Sequence, residues 1–184
     1  MDRQFFQACR HGKVEIVERF LNDEQDEQVD FNQRFENGWT AFSIACFFGQ
    51  MKVVKLLVND ERIDINQGDD FGQTPLNIAC NYGYIELVEI LLASGKKVDF
   101  DAINNQGKTA IEIAMEEKNE EKRDWESKQD HRERKKCYGD VIELLESFEK
   151  NPNEIRIELR RQLGLAGKRK DFFFHFTFTS LINF

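Results

Sequence analysis

A sequence period constrains this chain more than any other feature. A glycine followed by a helix-starting run occurs three times, as Gly38-Trp39-Thr40-Ala41-Phe42, Gly72-Gln73-Thr74-Pro75-Leu76 and Gly107-Lys108-Thr109-Ala110-Ile111. These glycines stand 34 and 35 residues apart. A second set, Gly12, Gly49 and Gly83, opens further apolar runs at steps of 37 and 34. Asp30-Phe31-Asn32, Asp64-Ile65-Asn66 and Asp99-Phe100-Asp101 repeat at 34 and 35. Three independent markers sharing a period of about 33 residues predict a stack of helical hairpins. One hairpin of this size cannot bury both of its faces, so it needs neighbours of the same kind.

The central unit shows how each hairpin is written. Gly72 permits a tight turn with positive φ. Thr74 can cap the first free N–H groups, and Pro75 stands at the first helical position, where no N–H is missed. Leu76, Ile78 and Ala79 begin a short helix that stops near Gly83, and the apolar run Leu87 to Leu92 predicts a second, ending at Ser94-Gly95. Gly72 to Gly83 closely resembles the G-x-T-P-L-x-x-A-x-x-x-G core of the ankyrin repeat family. The resemblance covers roughly residues 3–150, strongly in two units and more weakly in the outer two. It implies an all-α, ankyrin-like helical-hairpin solenoid of about four repeats. Residues 1–34 are a degenerate first repeat, 35–68 the second, 69–103 the third and 104–150 the fourth.

The fourth repeat departs from the pattern. A glycine turn is due soon after Ala114-Met115, yet residues 116–136 run almost without apolar side chains, and Val141-Ile142-Glu143-Leu144-Leu145 supplies the outer helix only afterwards. Charges in this insertion are mixed, and pairs such as Asp124/Lys128 and Asp130/Arg134 suit a solvated helix; a disordered insertion is the competing reading. Trp125 is its lone large apolar residue, either a packing anchor or a partner contact. Residues 151–166 predict a capping helix over the exposed side of repeat four, started by Asn151, Pro152 and Glu154 and striped by Ile155, Leu159 and Leu163. Arg156 and Arg160 beside the stripe are expected to pair with Glu149, Glu154 and Glu158 rather than with phosphate. Residues 167–184 form a basic-aromatic tail in which six of the last thirteen residues are phenylalanine, expected to be disordered, and either a non-native end or an interfacial anchor.

Composition bounds the function classes. A net charge of −8 disfavours nucleic acid as a partner. No apolar run reaches the roughly 18–20 residues of a membrane span, and no signal peptide is visible, so the default is a soluble, monomeric, intracellular protein. Cys9, Cys46 and Cys80 share one repeat position, after an alanine, and read as small core hydrophobes; Cys137 reads as an exposed thiol. No C-x-x-C or phosphate-cradling glycine loop exists, and His11, His131 and His175 lie in unrelated contexts. No cofactor, metal or catalytic constellation is therefore expected.

The ankyrin resemblance instead implies a recognition strip made of the turn tips and the outward positions of each first helix. From repeat two it takes Glu36, Asn37, Trp39, Phe47 and Phe48; from repeat three, Asp70, Phe71, Gln73, Asn81 and Tyr82; from repeat four, Asn105, Gln106, Lys108 and Glu116. Trp39, Phe47, Phe48, Phe71 and Tyr82 would form an aromatic patch near the middle of the array. Glu36, Asp69 and Asp70 would give the strip an acidic rim that favours a partner with basic residues. Non-catalytic protein–protein recognition is the expected function, with a membrane-peripheral adaptor held by the tail as the alternative.

Overall fold

The computed structural model describes residues 2–22, 29–123 and 126–165. The acidic loop at 23–28, Trp125 and the tail lie outside the described residues, as do the expectations placed on them. Among the described residues all regular structure is helical. The helices are α1 (Asp2–Arg10), α2 (Val14–Asn22), α3 (Ala41–Phe47), α4 (Met51–Leu57), α5 (Pro75–Tyr82), α6 (Ile85–Ala93), α7 (Ala110–Asn119), α8 (Lys128–Lys150) and α9 (Pro152–Gln162).

Each hairpin starts and stops by the local chemistry that its sequence contains. Thr40, Thr74 and Thr109 cap α3, α5 and α7, accepting from the backbone N–H of Ser43, Asn77 and Glu112. Gly72 takes φ 71° in the tip before α5, as its turn requires. Gly83 ends α5 at φ 65° and returns its N–H to the helix.

The hairpins stack in two rows. The first helices pack in the order α1, α3, α5, α7, and the second helices in the order α2, α4, α6, α8. Cys9, Cys46 and Cys80 are completely enclosed, and burial pushes the Cys9 and Cys80 thiols up to about 12 and Cys46 higher still. Met115 occupies the same position in α7 and is exposed, because no further first helix follows α7 in the row. Under native conditions a thiol reagent should therefore modify Cys137 alone. The other three should react only on unfolding, which mass analysis of the labelled peptides would show.

The Asp-x-Asn repeat has a definite structural task. Asn32 accepts from the Asp64 N–H at 2.8 Å and donates to the Arg62 carbonyl at 2.7 Å. Asn66 does the same one repeat on, with Asp99 at 3.0 Å and Lys97 at 2.8 Å. The amide side chain staples consecutive repeats, and the last copy of the motif has Asp101 at that position.

Helix α9 packs on α8 of repeat four, as expected of a capping helix, and also on α6 of repeat three. Arg156 and Arg160 do not pair with the nearby glutamates. Arg156 donates to the Leu92 carbonyl at 3.3 Å and Arg160 to the Ala93 carbonyl at 3.1 Å, while Glu158 pairs with Arg161. Two guanidinium groups thus satisfy the bare carbonyls at the negative end of α6, which is why the helix settles there.

Candidate functional site

The tips that carry the predicted strip are built from backbone exchange. Each closes on itself, Phe35 N–H to Trp39 O at 2.8 Å, Asp69 to Gln73 at 3.1 Å and Asn104 to Lys108 at 3.0 Å. Neighbouring tips also interlock. Asp70 N–H donates to Asn37 O at 3.0 Å, and Asn105 N–H to Phe71 O at 2.9 Å. Asn37 reaches this geometry at φ 59°, a conformation asparagine tolerates better than most residues. The three tips are therefore tied to one another through the backbone.

Four of the strip's five aromatic side chains, all but Phe71, form one connected run. Ring centroids lie 5.0 Å apart for Trp39 and Phe47, 5.2 Å for Phe47 and Phe48, and 5.4 Å for Phe47 and Tyr82, all edge-to-face. Tyr82 then stacks on Tyr84 at 5.5 Å. Trp39 and Phe47 are half-buried in this run, whereas Phe48, Phe71 and Tyr82 are 44%, 56% and 44% exposed. The Arg10 guanidinium lies over the Phe48 ring at 5.1 Å.

Two adjoining depressions flank the rings. One, of about 250 Å³, is lined by Glu36, Asn37, Trp39, Phe47 and Phe48 together with Arg3, Phe6 and Arg10 of α1. The other, of about 310 Å³, is lined by Phe71, Gln73, Asn81, Tyr82, Asn105 and Gln106, and shares Trp39 and Phe47 with the first. Asp70, Lys108 and Glu116 line neither. Asp70 is tied to Arg34 at 2.7 Å, and Lys108 is paired with Glu116.

The acidic rim is weaker than the sequence suggests. Glu36 faces Arg3 at 3.5 Å, and Asp70 is matched by Arg34. Asp69 is buried, its carboxylate accepting the Phe71 and Gln73 N–H groups at 2.9 and 2.8 Å. It is a turn-forming residue rather than a surface charge. Cationic partners arrive from distant sequence, so a count of rim carboxylates could not reveal them.

Beyond Tyr82 the surface continues onto the insertion, of which the expected strip takes only Glu116. The insertion is largely helical: α7 runs on to Asn119, and α8 starts at Lys128 behind a Ser127/Asp130 capping box. Asp130 is used there, so the expected Asp130/Arg134 pair does not form. Arg134 points inward instead, reaching Glu126 at 2.8 Å and the carbonyls of Glu117, Glu120 and Glu121 at 2.8 to 3.4 Å. His131 adds a 3.1 Å contact to the same enclosed carboxylate. The Arg134 guanidinium holds the Glu126 carboxyl down at about 2.

Tyr138 docks this extended hairpin on repeat three. Its hydroxyl donates to the Asn81 carbonyl at 2.8 Å, and its ring lies against Gly83, where an added Cβ would stand 3.3 Å from it. A third depression, of about 410 Å³, lies between Asn81, Tyr82 and the hairpin residues Glu117, Arg123, Cys137 and Tyr138. The legible clue was the position of Tyr138, the large aromatic residue nearest before the Val141–Leu145 run. Its partner, 57 residues upstream, was not legible. Elsewhere His11 bonds its own helix, at Gln7 O, and no grouping of three or more His, Cys, Asp or Glu side chains suited to a metal ion exists among the described residues.

A family model described as ankyrin repeats (3 copies) matches residues 5–101 and 61–123, together more than half of the chain. A comparison with curated proteins finds no match. The paired rows of hairpins, the capped T-x-x turns and the family match agree: this chain belongs to the ankyrin repeat family.

Proposed function

We propose that the protein is a non-catalytic recognition module that holds a partner protein on the strip running from Arg3 to Tyr82. Ankyrin repeats are in general protein–protein interaction modules, which supports this class of function. The observation that carries the reading is the connected run of rings from Trp39 to Tyr82, with Phe48 and Tyr82 exposed in it and Phe71 exposed on the depression that it lines with Tyr82. Aromatic side chains held rigid on a surface anchor partners at small ordering cost. No helix among the described residues is long and apolar enough to cross a membrane.

The test is capture of binding proteins by the full chain and by its Phe71→Ala/Tyr82→Ala variant. These two are exposed, so the variant should keep its far-ultraviolet circular dichroism; Trp39 and Phe47 are half-buried and less suited to the purpose. A partner retained by the natural chain should bind the variant at least about 30-fold more weakly. The same partners bound equally by both would remove the strip from the site.

A further inference from the structure

Resting on the reading of the strip as a recognition surface, we infer that its occupant is an extended, uncharged peptide segment whose apolar side chains enter successive depressions. Charge is the first argument. The carboxylates along the strip already have cations: Glu36 with Arg3, Asp70 with Arg34, Glu116 with Lys108, Glu117 with Arg123. A basic segment would have to displace an internal pair to gain one of its own, a nearly balanced exchange at an exposed site, and an acidic one would have to draw Arg10 away from the Phe48 ring that it covers. An uncharged segment incurs no such exchange.

The second argument is the form of the surface. The three depressions lie in series, the first and second sharing Trp39 and Phe47, the second and third sharing Asn81 and Tyr82. Amide side chains stand beside the rings, at Asn37, Asn81 and Gln106. Amides donate and accept together, which matches the exposed N–H and C=O groups of an extended backbone. A bound helix satisfies those groups internally and would gain little from them. Extended segments dock on aromatic-lined grooves in just this manner, rings taking the apolar side chains and polar groups the backbone.

Selection from a displayed library of random peptides against the full chain tests this. Enriched peptides should be uncharged and apolar, tolerate proline, and change affinity less than about threefold between roughly 0.05 and 0.5 M salt. They should also lose binding to the Phe71→Ala/Tyr82→Ala variant. Enrichment of Lys/Arg-rich or Asp/Glu-rich peptides weakened tenfold or more by salt, yet lost in that variant, would overturn the inference and leave the strip standing as a site. So would peptides that bind only as helices. Peptides bound equally by the variant, or no enrichment at all, would count against both.

Discussion

Phe42→Ala is expected to lower the unfolding free energy by about 3–5 kcal/mol, read from a denaturant titration followed by circular dichroism. Phe42 is wholly enclosed in α3, at the position where repeat three carries Leu76. Removing the ring forfeits its transfer free energy and leaves a cavity that close-packed neighbours fill only in part. Phe42→Leu, which restores the residue type of the neighbouring repeat, should cost less than about 1.5 kcal/mol. The position also links stability to recognition, since α3 carries Phe47 and follows directly on the tip that carries Trp39. Well below its melting temperature the alanine variant should still bind peptides with near-natural affinity, because no strip residue has changed. A loss below about 1 kcal/mol would mean that repeat two does not unfold with the array as nearest-neighbour coupling requires.

Arg134→Ala is expected to open the insertion hairpin while the rest of the stack stays intact. The substitution removes the guanidinium paired with Glu126 and the donor to the Glu117, Glu120 and Glu121 carbonyls at and just beyond the end of α7. An enclosed carboxylate without its partner is strongly unfavourable. Hydrogen exchange should show the end of α7 and the first turns of α8 losing protection, with α1 to α6 unchanged. Acid should reproduce the effect in the natural chain. The folded pKa of Glu126 lies near 2, below its unfolded value, so this contribution is complete above the ordinary glutamate range and fades as the pH falls toward about 2. The third depression should weaken with it, because Arg134, Arg123 and Glu117 form one of its walls. Unaltered protection in the variant would show that Arg134 does not hold the hairpin closed.

What the sequence determined by itself was the repeat architecture and the chemistry of each turn. Period, capping threonines, Pro75 and the turn glycines act within a few residues, so Gly72 to Gly83 could be read almost atom by atom. The buried cysteines were legible for the same reason, since repetition assigns a position to a face. The exposed aromatic strip was legible as a set of residues, although not as a graded one, with Trp39 and Phe47 sunk between neighbours and Phe71 standing free. Tertiary structure alone decided the pairings across repeats. Arg34 cancels Asp70, Arg156 and Arg160 cap α6, Arg134 folds back to Glu126, and Tyr138 ties the insertion to Asn81. Each of these joins side chains through space across a stack whose geometry must first exist. A long polar side chain has many reachable partners in the sequence and only one or two once the helices are packed.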